Sequence, residues 1–309
     1  MSDLFSRRVP AAVALAFFAS LALFVTGGQA AARAKFKIVY SFCEQAGFCD
    51  DGQNPISAVV KDSKGNLFGS VGASGQAQLG GIYMVRPNGT QSLVYTFCSQ
   101  ERCADGQYAQ DLIIDQQDNI YGVTNGGGAH GSGVVFRLGW HKGAWRYSVL
   151  YDFCSEGDAC LDGGQPRGGL SYPGEETNAP YDGVSPLYGT AIMGGQKQQG
   201  VVYRLTFQPG KKRPAYEVIY NFCSAKDCAD GTYPVGRLAF GAAGEMYGAA
   251  SSGGLADIDD ADGNGVVYEL APNGDAFKQT VLYTFCQQTD CADGAAQSVC
   301  WQKIGRAHV

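Results

Sequence analysis

The stretch Tyr95-Thr-Phe-Cys98, followed by Cys103-Ala-Asp105-Gly106, decides how this chain folds. The same phrase occurs five times in 309 residues: an aromatic strand, Phe-Cys, a short loop, a second Cys, and Asp-Gly soon after. Its phenylalanines stand at positions 42, 97, 153, 222 and 285, so successive copies lie 55, 56, 69 and 63 residues apart. Self-similarity at such a period is the signature of a repeat architecture.

Each unit between two copies of the phrase offers four short apolar runs separated by turn-forming residues. In the second unit they span 110–115, 120–124, 133–138 and 146–153. Val134 and Phe136 alternate with Arg137, a period of two that places one apolar row on one face of a strand. Four antiparallel strands per unit, repeated radially, predict an all-β fold, a β-propeller-like array of four-stranded antiparallel blades. A solenoid of stacked sheets is the alternative.

The landmarks divide the chain into a leader, a repeat domain and a tail. We expect the repeat domain to occupy 33–302, with four complete units and a truncated fifth, at about 43–97, 98–153, 154–222, 223–285 and 286–302. The stretch 35–42 precedes any first strand, so we expect it to supply the fourth strand of a blade completed from the far end. The last seven residues, 303–309, resemble the translation of a sequencing-adapter oligonucleotide, and we expect them to be an artefactual tail.

The first 32 residues have the layout of a secretory signal peptide. Arg7 and Arg8 precede an apolar run over 11–25, and small residues over 27–32 offer a cleavage site. An uncleaved membrane anchor is the alternative, although the run is short for a span. We therefore expect export to the periplasm, the cell surface or the medium, with no transmembrane span in the mature chain.

The cysteines agree with an oxidising compartment. Ten of the eleven belong to the repeated phrase, and Cys300 is left over. Paired cysteines in an exported chain predict disulfides that each close a small loop. Metal binding is the alternative, but these spacings exceed C-x2-C and no histidine accompanies them. The predicted pairs are Cys43–Cys49, Cys98–Cys103, Cys154–Cys160, Cys223–Cys228 and Cys286–Cys291.

Composition excludes one class of partner. The formal net charge is −6, and only 17% of the residues are charged, so the basic footprint of a nucleic-acid-binding protein is missing. Glycine is abundant, with 44 residues, while aromatics still make up 12% of the chain. That combination favours many short strands joined by turns.

The units resemble the tandem repeat of the choice-of-anchor tandem repeat GloVer-containing proteins. The resemblance rests on Asp62-Ser-Lys-Gly-Asn-Leu-Phe-Gly69 and on Asn125-Gly-Gly followed by Gly133-Val-Val-Phe136, and it extends over about 37–294. It implies an exported, surface-associated, propeller-like protein and brings no established catalytic residues with it. The cysteine pairs depart from the family pattern.

An acidic segment is the candidate calcium site. Against an EF-hand loop, Asp260 and Asp262 fall at ligand positions three and five, but Ile258 takes the first position, which should be acidic. A solvated acidic loop is the alternative. No other metal or cofactor is expected. The candidate calcium ligands are Asp257, Asp259, Asp260 and Asp262.

Aromatic side chains supply the candidate ligand-binding site. Trp140 and Trp145 flank a tip between the third and fourth strands of the second unit, where they can stack on a sugar or cover their own hairpin. A second aromatic series occupies one slot per unit, and packing between blades explains it better than ligand binding does. Its members are Phe68, Tyr121, Tyr188 and Tyr247.

Catalytic signatures are missing from the sequence. We find no G-x-S-x-G, no H-E-x-x-H and no phosphate loop. The repeated Asp-Gly carboxylates recur too uniformly for an acid/base pair and fit turns better. We therefore expect an exported non-catalytic repeat protein, a binding or adhesion module for an extracellular glycan or protein. The alternative is a secreted propeller hydrolase or lactonase acting on a carbohydrate or lactone, with a carboxylate or calcium in its central channel.

Overall fold

The computed structural model describes residues 36–43, 49–74, 77–254, 263–274 and 276–294. These residues form sixteen β-strands and four single-turn 3-10 helices, and no α-helix occurs among them. Within the same ranges no helix is long and apolar enough to cross a membrane. The backbone divides into two units, 1–38 and 39–309, and every strand belongs to the second.

Four antiparallel sheets form the four blades of a β-propeller, as the repeat predicted. The first blade contains β1 (Gln53–Pro55), β2 (Val60–Lys61), β3 (Leu67–Ala73), β4 (Gly81–Val85) and β5 (Gln91–Thr96). The second contains β6 (Gln107–Ile114), β7 (Ile120–Gly126), β8 (Val134–His141) and β9 (Ala144–Asp152). The third contains β10 (Leu187–Ala191), β11 (Val201–Thr206) and β12 (Ala215–Asn221). The fourth contains β13 (Thr232–Phe240), β14 (Met246–Ser252), β15 (Val266–Asn273) and β16 (Ala276–Thr284).

Each blade pairs a glycine with an aromatic ring on the neighbouring strand. In the second blade Gly122 lies directly opposite Phe136, and a Cβ on this glycine would come within 2.7 Å of the ring. The same pairing joins Gly69 to Tyr83, Gly189 to Tyr203, and Gly248 to Tyr268. The glycine and the aromatic residue that recur in every blade are therefore cross-strand partners. The glycine has no side chain, which leaves room for the aromatic ring.

Apolar clusters hold neighbouring blades together. The first and second blades share a cluster that includes Phe68, Phe97 and Phe136, while the next two interfaces bury Tyr121 and Tyr188 in the same way. Three of the four aromatics in the one-per-unit series are therefore buried between blades, and Tyr247 is half-buried. Each of the first three blades thus shares an apolar interface with the blade that follows it in the chain, as a radial repeat requires.

The innermost strand of the third blade differs from the four-stranded expectation. Residues 164–172 take its place, with the isolated bridge Ser171–Tyr188 to β10 and the isolated bridge Gly164–Met193 just past its end. This segment passes so near the fourth blade that a Cβ on Gly168 would overlap the Gly236 carbonyl oxygen. Glycine permits that approach but weakens a strand.

The connections between blades carry the cysteines and the Asp-Gly carboxylates. All five predicted disulfides are present. In the connection to the fourth blade, Asp230 accepts a hydrogen bond from the Tyr220 hydroxyl at 2.6 Å and from the backbone amides of Ser224 and Ala225 at 2.9 and 3.1 Å. A tyrosine hydroxyl is bound in the same way by Asp51, Asp105, Asp162 and Asp293.

The stretch 35–42 was predicted to be the fourth strand of a blade completed from the far end. Residues 36–42 belong to no strand, and the rings of Tyr40 and Phe42 pack edge-on against each other. Phe42 also meets the ring of Tyr83 in the first blade at 4.8 Å. Because residues 295–309 lie outside the described residues, the blade completed from that end stays a prediction.

Candidate ligand-binding site

The two tryptophans stand opposite each other at the end of the β8–β9 hairpin. Trp140 pairs with Trp145 across the strands, and their rings meet edge to face with centroids 5.3 Å apart. A two-residue turn closes the hairpin, with positive φ at both Lys142 (50°) and Gly143 (81°). That geometry suits a tight hairpin between twisted strands. The turn therefore carries the strands past the end of the blade and holds both indoles at its tip.

A groove runs between these tryptophans and the first blade. Trp145 packs edge-on against Phe68 of that blade at 5.7 Å, while Trp140 keeps 55% of its surface exposed. Buried Phe68 and Met84 form part of the apolar lining of a groove of about 430 Å³. We call this the tryptophan groove. Its polar lining comes from Asp62, Lys64, Asn66, Arg86, Ser92 and Asp118.

Hydrogen bonds hold the polar rim of the tryptophan groove in place. Asp62 accepts from the backbone and side-chain amides of Asn66, both at 2.7 Å. Asp118 of the second blade accepts from the backbone amide and hydroxyl of Ser63 at 2.8 and 2.6 Å, which ties the two blades together. Lys64 and Arg86 have no ion pair within the part of the chain that the structure describes. The rim is therefore ordered, and its cationic side chains keep their donors available.

A second cavity of about 430 Å³ lies beside the innermost strands, between Lys61, Tyr172 and Arg237. Arg237 forms an ion pair with Glu175 and donates a hydrogen bond to the Leu170 carbonyl at 2.6 Å. Burial raises the pKa of Glu175, and the guanidinium opposes that shift. Glu175 is the one carboxylate among the described lining residues, so this lining offers no second carboxylate to form an acid/base pair with it.

The structure describes some of the predicted site residues and not others. Trp140 and Trp145 come together, as described above. The calcium candidates Asp257, Asp259, Asp260 and Asp262, like Cys300, lie outside the described residues, so that site stays a prediction. Within the described ranges no cluster of three His, Cys, Asp or Glu side chains could hold a metal ion.

The sequence did not reveal the first-blade side of the tryptophan groove. Phe68 belonged to the one-per-unit aromatic series and is indeed part of the core, yet it also lines the groove. Met84 and Arg86 carried no signal, because only the packing of two blades brings them within reach of the tryptophans.

Two solved structures of other proteins are distantly similar to this chain. One, described as a candidate gluconolactonase, shares 15% identity, with a TM-score of 0.43; the match covers 74% of this chain and 64% of that one. This chain thus spans less than two thirds of that protein. The other, described as a candidate oxidoreductase (glucose dehydrogenase) from Thermus thermophilus, shares 17% identity, with a TM-score of 0.45 and coverage of 76% and 71%. No curated protein matches the sequence.

The family comparison concerns the repeat itself. The model of the family described as the Gloeobacter/Verrucomicrobia repeat matches residues 29–178, which include the first two blades and the phrase that precedes them. Residues 29–178 therefore belong to the Gloeobacter/Verrucomicrobia repeat family, in agreement with the resemblance seen in the sequence.

Proposed function

We propose that this protein is an exported, non-catalytic β-propeller module that binds a glycan outside the cell through the tryptophan groove. The observation that carries the proposal is the pair of tryptophans at the hairpin tip, with Trp140 largely exposed above an apolar floor. An exposed indole at the rim of a groove is a ready surface for the apolar face of a sugar ring.

The polar rim supplies the second half of sugar recognition. Lys64 and Arg86 are donors, and Asn66 and Ser92 offer further polar atoms along the same groove. Such a groove combines apolar contact with a few placed polar groups, as small-molecule sites generally do. The hydrogen bonds within the rim reduce the conformational entropy that binding would otherwise cost.

Export is part of the proposal. The signal-like segment 1–32 supports it, and so do the five disulfides, since such bonds persist in oxidising compartments. Fractionation of the source cells and mapping of the mature N-terminus test this part independently of ligand binding.

Glycan-array binding by the purified full chain tests the ligand class. We expect binding without turnover, and we expect Trp140→Ala to weaken it about tenfold, the equivalent of ~1.4 kcal/mol of lost stacking. Trp140→Phe should restore most of the affinity because it keeps an aromatic face. Leu282→Ala is the control, since Leu282 has a similar exposed fraction, 51%, on the fourth blade. No binding to any glycan, or equal binding by Trp140→Ala, would contradict the proposal.

The alternative, a secreted hydrolase or lactonase acting on a carbohydrate or lactone, depends on the cavity at Glu175 and Arg237. Calcium-dependent release of product, abolished by Glu175→Gln but retained in Trp140→Ala, would favour this alternative. The ion pair and the lack of a second carboxylate in the described lining are the reasons for preferring a binding role.

A further inference from the structure

A further cleft shares Trp140 with the tryptophan groove. Its volume is about 320 Å³, and it is lined by Arg137, Gly139 and His141 of β8 and by Arg146 and Ser148 of β9, together with Trp140 and Asn119. We call this the arginine cleft. Trp140 lines both the arginine cleft and the tryptophan groove, so a chain-like ligand stacked on its indole has a neighbouring cavity to enter.

The strand register explains the shape of the arginine cleft. Gly139 pairs with Arg146, and Arg137 pairs with Ser148, so the long side chains stand on one face of the sheet around a glycine. A Cβ at Gly139 would come 2.5 Å from the Asn119 side-chain oxygen. That oxygen is held in place, because the Asn119 amide nitrogen donates to Asp115 at 2.8 Å. The floor is thus kept free of a side chain.

The two arginines of the cleft have no ion-pair partner within the described part of the chain, and the nearby Asp115 carboxylate is bound to Asn119. Neither Arg137 nor Arg146 forms an ion pair there. The Arg137 guanidinium lies 5.8 Å from the ring centroid of Tyr121, and this contact orients it without neutralising it. On a chain with a net charge of −6, two unpaired arginines beside a histidine are a local exception that attracts anions.

The third blade provides an internal comparison. Arg204 follows Tyr203 just as Arg137 follows Phe136, and its cross-strand partner is Glu217 where the second blade has Ser148. Arg204 and Glu217 form an ion pair at 2.5 Å. The same arginine position is therefore neutralised in one blade and left unneutralised in the blade that carries the tryptophans.

We propose that the arginine cleft binds an anionic substituent, so that the ligand of the tryptophan groove is an acidic polysaccharide. This inference rests on the proposed glycan-binding function. Guanidinium groups bind carboxylate and sulfate oxygens through paired, charge-assisted hydrogen bonds, which discriminate against neutral hydroxyls. The two anionic groups share this chemistry, and a carboxylated sugar and a sulfate ester are distinguished by experiment.

Titration of the full chain with three probes of similar length tests the inference: an oligogalacturonate, a sulfated galactan oligomer and a neutral galactan oligomer. We expect at least one acidic probe to bind ten times or more tightly than the neutral one, with an affinity that falls as salt is added. Arg146→Gln should remove most of that preference. Arg213→Gln, which changes an exposed arginine of the third blade, should leave it intact.

Ser148→Glu is the sharper variant, because it places in the second blade the carboxylate that neutralises Arg204 in the third. We expect it to abolish the preference for the acidic probe while the neutral probe binds as before, with an unchanged melting temperature. Acidic binding that survives both Ser148→Glu and Arg146→Gln would overturn the inference and leave glycan binding standing. Failure of both acidic probes to bind would likewise overturn the inference, while the glycan array decides separately whether glycan binding stands.

Discussion

At the scale of single residues, each repeat packs an aromatic ring into the space that a glycine on the neighbouring strand leaves free. Gly69 lies opposite Tyr83, whose side chain is buried across the strand and packs over the glycine. Three residues along the same strand, Gly72 has its nearest neighbours 3.5 Å away, which is ordinary contact. Neither glycine has a positive φ, so the two positions differ in the space that is available for a new methyl group and not in backbone strain.

We predict that Gly69→Ala lowers the stability by about 1–3 kcal/mol, because the added methyl group forces the Tyr83 ring out of its position. Gly72→Ala in the same strand is the matched control and should change the stability by less than about 0.5 kcal/mol. Urea titration followed by circular dichroism measures both values. Equal effects of the two substitutions would show that the ring does not depend on the missing Cβ.

At the scale of the connecting elements, one aspartate joins two blades by two different groups. The Asp230 carboxylate holds the connection, as described above, while its carbonyl oxygen accepts from the Gln279 side chain of β16 at 3.1 Å. The Asp105 carbonyl accepts in the same way from the Tyr147 hydroxyl of β9 at 2.5 Å. The short disulfide beside each aspartate closes too small a loop to stabilise by more than about 2 kcal/mol. The aspartate and the disulfide therefore both contribute to the connection.

We predict that Asp230→Asn costs about 2 kcal/mol of stability, because an amide has only one acceptor oxygen, while the two carboxylate oxygens together accept from one hydroxyl and two backbone amides. Asp227→Asn is the matched control in the same connection. Among the described residues Asp227 has one ion pair, with Lys226, and both side chains are exposed, so its loss should cost well under about 1 kcal/mol. Thermal melts of the two variants measure the difference, and similar melting temperatures would refute the role of Asp230.

At the scale of the whole molecule, tyrosines fill the interfaces between blades. Tyr151 stacks on Tyr216 with ring centroids 3.7 Å apart, and Tyr203 and Tyr268 are fully buried. Burial raises the pKa of these phenols above the ordinary value of 10.0. For Tyr151 the hydrogen bond to Asp162 raises it further. The interfaces thus favour neutral tyrosines.

The sign of the pH effect follows from these shifts. The folded protein retains phenolic protons that the unfolded chain releases, so their contribution to stability is complete below about pH 10 and is lost as the pH rises above it. We predict that the interface tyrosines ionise together with the loss of β-sheet circular dichroism, in one alkaline transition. Phenolate absorbance recorded in parallel with circular dichroism tests this. Complete and reversible ionisation near pH 10 with the sheet intact would contradict it.

Much of the fold could be predicted from local signals. The recurring phrase defined the repeat, and the alternation around Phe136 identified a strand that the structure extends to His141. The hairpin runs further than predicted, because the Lys142-Gly143 turn and the tryptophan pair continue the pairing to the tip. The sequence did not predict that the first strand of the third blade is irregular. The reason lies in another blade, because Gly168 approaches the carbonyl oxygen of Gly236 too closely to carry a side chain.

The sequence by itself determined the repeat, the β class and the local pairing of the cysteines, because each of these depends on residues a few positions apart. Only the tertiary structure decided that Trp145 meets Phe68 and that Arg137 faces Ser148 while Arg204 faces Glu217. The packing of two blades sets the first of these contacts, and strand register sets the other two. The tryptophan groove, the arginine cleft and the unpaired charge of its two arginines are therefore properties of the assembled blades.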